Sequence, residues 1–443
     1  MFVFAHTLAQ DVAYTGIPKV ERARKHAQLA LWSTTSMSAS VGVGEVDAFV
    51  ATQAEQAVAL ATEMRLAAND TAWTARGVGV TALVRLGQAA LARDDNSRAE
   101  AVFTRAIALA GDAADSLGPA VADALVGRAA ARVGLHRLTD AEADLDAPQR
   151  SADLRRRAAA LVVLGDIRRR RGDLDGATRS LVSALAAASE AGVDRVTGEA
   201  LRQLGMVDYR NGRLPAAEEH FRDALALAQR VGDRRGAGWA LQHLAWSATT
   251  RGDYPLAERT LDEAAEVFNA LDDDEGLSWC AGTEAFVRLL QGRFGAARDL
   301  ARGLLAIGQA TDNRWGTAVC LTIDGFAAAE LGSVTTALAE TEQAHAMFVE
   351  LSETWGQTLA LVARGAALRA ANEHDRATEC LEEAFELSVR TGQLVTGALA
   401  LGVLGYCRLD VGDLDAAAAA AEQALAAITG LDLRPAAQIG PRV

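Results

Sequence analysis

Residues 198–236 read GEALRQLGMVDYRNGRLPAAEEHFRDALALAQRVGDRRG, and they decide the fold. Leu201, Leu204 and Met206 to Tyr209 form an apolar helical face that stops at Asn211-Gly212. Pro215 follows in the first turn of the next segment, where its missing N–H costs little. Ala217, Phe221, Ala224, Leu225 and Leu227 then make the face of a second helix. The stretch is a helical hairpin, and neither helix can bury its stripe alone.

The same pattern recurs along the chain. Gly172, Gly212, Gly252, Gly292, Gly332, Asn372 and Gly412 stand forty apart, and Asn is the other residue that tolerates a left-handed backbone. A second column of small residues runs Gly87, Gly127, Gly165, Gly205, Ala245, Ala285, Gly325, Gly365 and Gly405, in steps of forty except for 38 between Gly127 and Gly165. Ala177, Ala217, Ala257, Ala297, Ala337, Ala377 and Ala417 keep the frame, and Gly236, Gly276, Gly316 and Gly356 punctuate the junctions between units. Self-similarity at this period predicts stacked hairpins in which each unit supplies its neighbour's core. Unit two departs from the pattern, because HRLTDAEADLDAP gives it a short acidic second helix cut by Pro148.

Leu204-Gly205, Ala217, Phe221 and Ala224 stand at the spacing of the tetratricopeptide repeat, as do Leu86-Gly87, Ala99, Phe103 and Ala106. The chain resembles the long-repeat variety that forms sensor arms of bacterial signalling proteins. The resemblance implies an all-α, right-handed superhelical solenoid with nine repeats over residues 69–430 and a disordered tail at 431–443. Ahead of the array, Phe4, His6, Leu8, Asp11 to Tyr14, Pro18-Lys19, Arg22 and His26 resemble the end of the winged-helix part of STAND-type signalling ATPases. That assigns residues 1–32 as a winged-helix remnant, 33–45 as a linker and 46–68 as a leading helix. Met1 would then fall inside a module, implying a truncated reading frame or an arm that has lost its motor.

The 443 residues carry 44 basic and 58 acidic side chains, a net charge of −14, which argues against coating nucleic acid or anionic lipid. Four Cys fit a reducing compartment, and no signal or membrane-length apolar run is visible, which predicts a cytoplasmic location. No G-x-x-x-x-G-K-[ST] loop is present to cradle phosphates. The seven His never stand at i, i+3 or i+4, so no metal pair is offered, and no Ser, Cys or Thr sits in a nucleophile-elbow sequence. Cys280 and Cys320 occupy equivalent places in neighbouring units, too far apart for a bridge. The chain therefore reads as a non-enzymatic scaffold without cofactor or metal.

In the family the first helix of each hairpin lines the concave wall, at the second, fifth, ninth and twelfth positions when Gly205 is the eighth. On this frame the wall carries Arg169, Arg202, Tyr209, Trp239, Gln242, Trp246, Trp279, Phe286, Phe326 and Tyr406. An aromatic groove flanked by arginine suits a partner protein, a peptide or a small-molecule effector. The alternative is that these aromatics fill seams between units, and Trp315 and Trp355 are read as such fillers. Two further readings stay open: a segment of a longer ATP-dependent regulator or cyclase, and a nucleic-acid-binding solenoid using Arg155 to Arg157 and Arg168 to Arg171. The arginines otherwise form a solvated or internally paired face. The end helices of the array offer a place for self-association.

Overall fold

The computed structural model describes residues 14–36, 42–310 and 313–428. Every regular element among them is helical. Two helices come first, α1 (Lys19–Ser36) and α2 (Val43–Glu63), followed by a short 3-10 turn at Thr71–Thr74. Hairpins then succeed one another: α3 (Ala75–Leu91) with α4 (Asn96–Ala110), α5 (Gly118–Gly134) with α6 (Leu138–Asp144), and α7 (Leu154–Arg170) with α8 (Leu174–Glu190). Next are α9 (Asp194–Arg210) with α10 (Leu214–Val231), α11 (Arg234–Thr250) with α12 (Tyr254–Asn269), and α13 (Asp274–Leu290) with α14 (Phe294–Ala310). The last three are α15 (Arg314–Glu330) with α16 (Val334–Glu350), α17 (Thr354–Ala370) with α18 (His374–Arg390), and α19 (Leu394–Asp410) with α20 (Leu414–Ile428).

The chain divides into two compact units, Met1–Val163 and Leu164–Val443. In the first, α1 packs on α2 through Ala23, Ala27, Ala30, Ala54, Ala57 and Ala61, all buried. The helix α1 runs on to Ser36, with Ser33 buried, so the start of the expected linker is helical instead. The expected winged-helix contacts of Phe4, His6, Leu8 and Asp11 to Ala13 lie outside the described residues, as does the 431–443 tail. Of the rest of that segment, His26 bonds the Tyr14 hydroxyl at 2.9 Å and Gln53 at 2.6 Å. The short α6 compensates for its seven residues with charge: Asp144 accepts from Arg128 and Arg132.

Local chemistry repeats in step with the sequence. Each turn inside a hairpin needs one left-handed residue; Gly172, Gly212, Gly252, Gly292, Gly332 and Gly412 take φ between 72° and 83°, and Asn372 takes 61°. The small-residue column exists because the second helix drives a large side chain into it. A Cβ on Gly205 would stand 2.4 Å from the Phe221 ring, and one on Gly165 or Gly365 would meet Leu181 or Leu381 equally closely. Two of the junction glycines share that reason, since a Cβ on Gly276 or Gly356 would stand 2.2 Å from the Phe268 or Phe348 ring, and all four follow a cap. Asp233, Asp273, Asn313 and Glu353 are N-caps whose side chains accept the amide N–H of Gly236, Gly276, Gly316 and Gly356. No helix among the described residues is long and apolar enough to cross a membrane.

Candidate recognition surface on the first helices of the hairpins

In the second unit, consecutive hairpins stack, yet the first helices also touch partners three to five hairpins away. Trp246 of α11 lies 6.2 Å from Trp355 of α17, ring centre to ring centre. Arg210 at the end of α9 faces Glu353, the N-cap of α17, at 3.7 Å. Val395 of α19 packs on the Tyr209 and Leu214 cluster, and Leu399 packs on the cluster of Phe286, Ile323 and Leu359. Neighbour-to-neighbour stacking joined to such long-range contacts requires the stack to curve, with the first helices on its concave side.

Aromatic rings line this side as one connected strip. Trp279 stacks on Trp315 at 4.9 Å and Trp315 on Trp355 at 6.3 Å. Trp239 meets Trp279 edge-on at 6.2 Å, and Trp246 meets Phe286 edge-on at 5.3 Å and Tyr209 at 6.4 Å. Such edge-to-face and offset contacts are favoured by the ring quadrupoles. Trp315 and Trp355 continue the strip from hairpin to hairpin and also pack on the buried clusters around Phe348 and around Phe286, as fillers between units would. Each first helix begins one turn earlier than the counted frame, and the residue four before the second position shares its face. Arg195, Arg235, Glu275 and Val395 occupy the same column, which a stripe extended by one turn would have found.

The ten residues expected on the wall divide by burial. Tyr209, Gln242, Phe286 and Arg169 are buried: the Tyr209 hydroxyl bonds Thr250 at 2.7 Å, and Gln242 donates to Thr283 at 2.9 Å. Trp239, Trp246 and Phe326 are half-buried, and Trp279 remains 39% exposed. Tyr406 lies beneath the Arg369 guanidinium at 5.5 Å. Phe286 and Tyr209 are thus taken up in packing, while the Trp279 ring stays open to solvent.

Charge brackets the strip. Arg202 and Arg235 each approach the Trp239 ring at 5.8 Å, a cation–π arrangement. Arg202 is held by Glu199, and Arg235 pairs with Asp273 and Glu275. His243 is buried beside Arg202, its Nδ1 2.6 Å from the Trp239 carbonyl and its Nε2 3.4 Å from Arg202. That geometry fits the neutral ring donating from Nδ1, and burial, with Arg202 adding repulsion, pushes its pKa down to about 3. Arg168 bonds the Gly176 carbonyl and Ser180, while Arg169 and Arg170 clasp Asp166.

The four Cys are free and buried, and burial pushes the Cys280 and Cys320 thiols up to about 12 and Cys380 to about 11, so they stay protonated. Among the described residues no group of three His, Cys, Asp or Glu is placed to hold a metal ion.

The tetratricopeptide repeat family model matches residues 156–230 and 196–270. No curated protein matches the chain in sequence. A Rap protein complexed with competence and sporulation factor superposes with a TM-score of 0.64 at 13% identity, covering 80% of this chain and 99% of the Rap chain. The apo form of RapI gives a TM-score of 0.48 at 12% identity, over 80% of this chain and 98% of its own. A STAND protein with a tetratricopeptide repeat sensor from Pyrococcus horikoshii gives 0.39 at 12%, over 97% of this chain and 66% of its own. Residues 156–270 are thus matched as tetratricopeptide repeats, their forty-residue period continues on either side, and the chain shares the fold of the Rap solenoid.

Proposed function

We propose that the second unit is a recognition arm that takes a peptide, or an extended segment of a partner protein, along its inner strip. The observation that carries this reading is the continuous run of five indoles, with Trp279 39% exposed, bracketed by guanidiniums on the concave side of the stack. Tryptophan and arginine are the side chains that dominate interface energies when they line a concavity. The Rap protein of the same fold is seen in complex with a factor, which supports a ligand-holding use of this architecture. Against the nucleic-acid reading, Arg168 and Arg170 bond internal partners, Ser180 and Asp166.

Panning a displayed library of linear decapeptides against the full chain tests the proposal. Enriched peptides should lose at least tenfold in affinity against Trp279→Ala and Trp239→Ala, with unchanged far-UV circular dichroism. No enrichment, or binding indifferent to both substitutions, overturns it.

A further inference from the structure

Beside the strip, where the ends of α7 and α9 meet the start of α17, the guanidiniums of Arg169, Arg170 and Arg210 gather around the carboxylates of Asp166 and Glu353, with Glu275 also acting on Arg170. Arg169 and Arg170 hold Asp166 between them. Arg169 is 8% exposed, and its Nε–H has no hydrogen-bond partner. Arg210, with a side chain 12% exposed, reaches the Arg169 carbonyl at 3.5 Å and Glu353 at 3.7 Å. A guanidinium has five N–H donors, and burying one costs several kcal/mol unless they are used. At 3.7 Å the Glu353 oxygen is an ion-pair neighbour and not a hydrogen-bond acceptor. Its other oxygen is committed to the Gly356 N–H at 2.6 Å, so Glu353 cannot swing fully onto Arg210 without uncapping α17.

We propose that Arg210 and Arg169 form a binding site for a carboxylate carried by the incoming ligand, and that Glu353 sits at this site in the free protein as a built-in competitor. The inference rests on the reading of the strip as a peptide site and names the charge that such a peptide brings. A planar carboxylate matches the guanidinium fork in two parallel hydrogen bonds, a geometry Glu353 does not achieve. It would also reach the unpartnered Arg169 Nε–H. Glu353 would keep its cap on Gly356 and release α9, so filling the site loosens the contact between α9 and α17. The carboxylate can come from an acidic side chain or from a chain terminus, and the probes below separate the two.

Three probes are titrated by calorimetry into the full chain: acetyl-Phe-Phe-Glu-Glu amide, acetyl-Phe-Phe-Ala-Ala with a free terminal carboxylate, and acetyl-Phe-Phe-Gln-Gln amide. Glu353→Gln removes the competing charge while its amide oxygen can still cap Gly356. At least one carboxylate probe should bind Glu353→Gln tenfold or more tighter than the wild type, and the Gln probe should gain nothing. Arg210→Gln should abolish that gain in the Glu353→Gln background. If Arg210→Gln does not fold, Arg169→Gln should reduce the gain at least fivefold. Equal binding of the carboxylate probes to wild type and Glu353→Gln, absence of binding to both, or a gain that survives the arginine substitutions each overturns the proposal. Peptides without any carboxylate that bind in a Trp279-dependent way would leave the strip reading standing while this inference falls.

Discussion

At the residue scale, one substitution should have opposite signs at two helical glycines. Gly205 faces Phe221, which is 1% exposed and cannot swing away, so a methyl there forces overpacking worth about 1–3 kcal/mol, outweighing about 1 kcal/mol of gained helix propensity. Gly402, inside α19, has nothing within 4 Å of its missing Cβ. Gly205→Ala should therefore lower the urea midpoint and Gly402→Ala raise it; two changes of the same sign would contradict this packing account. Two titrations, one of them at a half-buried carboxyl, oppose each other in a second residue-scale test. His243 is neutral in the fold with its pKa near 3, below its ordinary 6.5, so stability is lost as pH falls below 6.5, by about 1.4 kcal/mol per unit. Glu340, pushed up to about 7 by burial and by Asp324, binds its proton in the fold; its contribution is full below the ordinary 4.5 and is lost as pH rises toward 7. Between pH 4.5 and 6.5 the two slopes oppose. His243→Gln should make stability fall more steeply with rising pH across that window, and Glu340→Gln should make it rise. Urea titrations at three pH values decide, and profiles parallel to wild type in both variants would refute the assignment.

At the element scale, α6 shows charge replacing length. Seven residues are far too few for an independently stable helix. Asp144, 7% exposed, accepts from Arg128 Nε at 2.9 Å and Nη2 at 2.6 Å, and from Arg132 Nη1 at 2.8 Å. Asp144→Ala leaves two largely buried guanidiniums without this partner and should cost about 3–5 kcal/mol. Amide exchange in 138–144 should accelerate before that of α5; uniform acceleration of both would mean that α6 draws its order from elsewhere. The short acidic helix was legible because Pro and a run of acids are local signals, although it ends at Asp144 and Pro148 opens a separate 3-10 turn. So were the turn column and the small-residue column, since a left-handed φ and a close helix contact each admit few residue types. A second left-handed column between hairpins, Gly192, Gly232, Asp272, Ser352 and Gly392, escaped notice because its residue types vary. The part of Trp315 and Trp355 in the strip is hard to read for another reason: the hairpin frame counted from Gly205 starts one turn after them.

At the scale of the second unit, the least legible feature is the contact made across its concave side. Whether Arg210 meets Glu353, or Trp246 meets Trp355, depends on curvature accumulated over three or four hairpins, and no local pattern encodes it. The consequence is thermodynamic. A solenoid held only by nearest neighbours opens from its ends, hairpin by hairpin, because each interface is an independent term. Here α11 and α17 share an aromatic contact, and α9 shares a cluster with α19, so freeing the last hairpins also uncovers the earlier ones. Amides of α9, α11, α17 and α19 should then exchange through one common opening in the wild type. Trp355→Ala removes the indole that joins the stacked Trp315 to Trp246 and should split that opening in two, with α17 to α20 exchanging at least tenfold faster than α9 to α12. The denaturant slope should fall with it, since each step exposes less surface. If all four helices of Trp355→Ala still exchange at one shared rate, the stack is cooperative through its neighbour interfaces alone, and the contacts across the concave side only register its curvature.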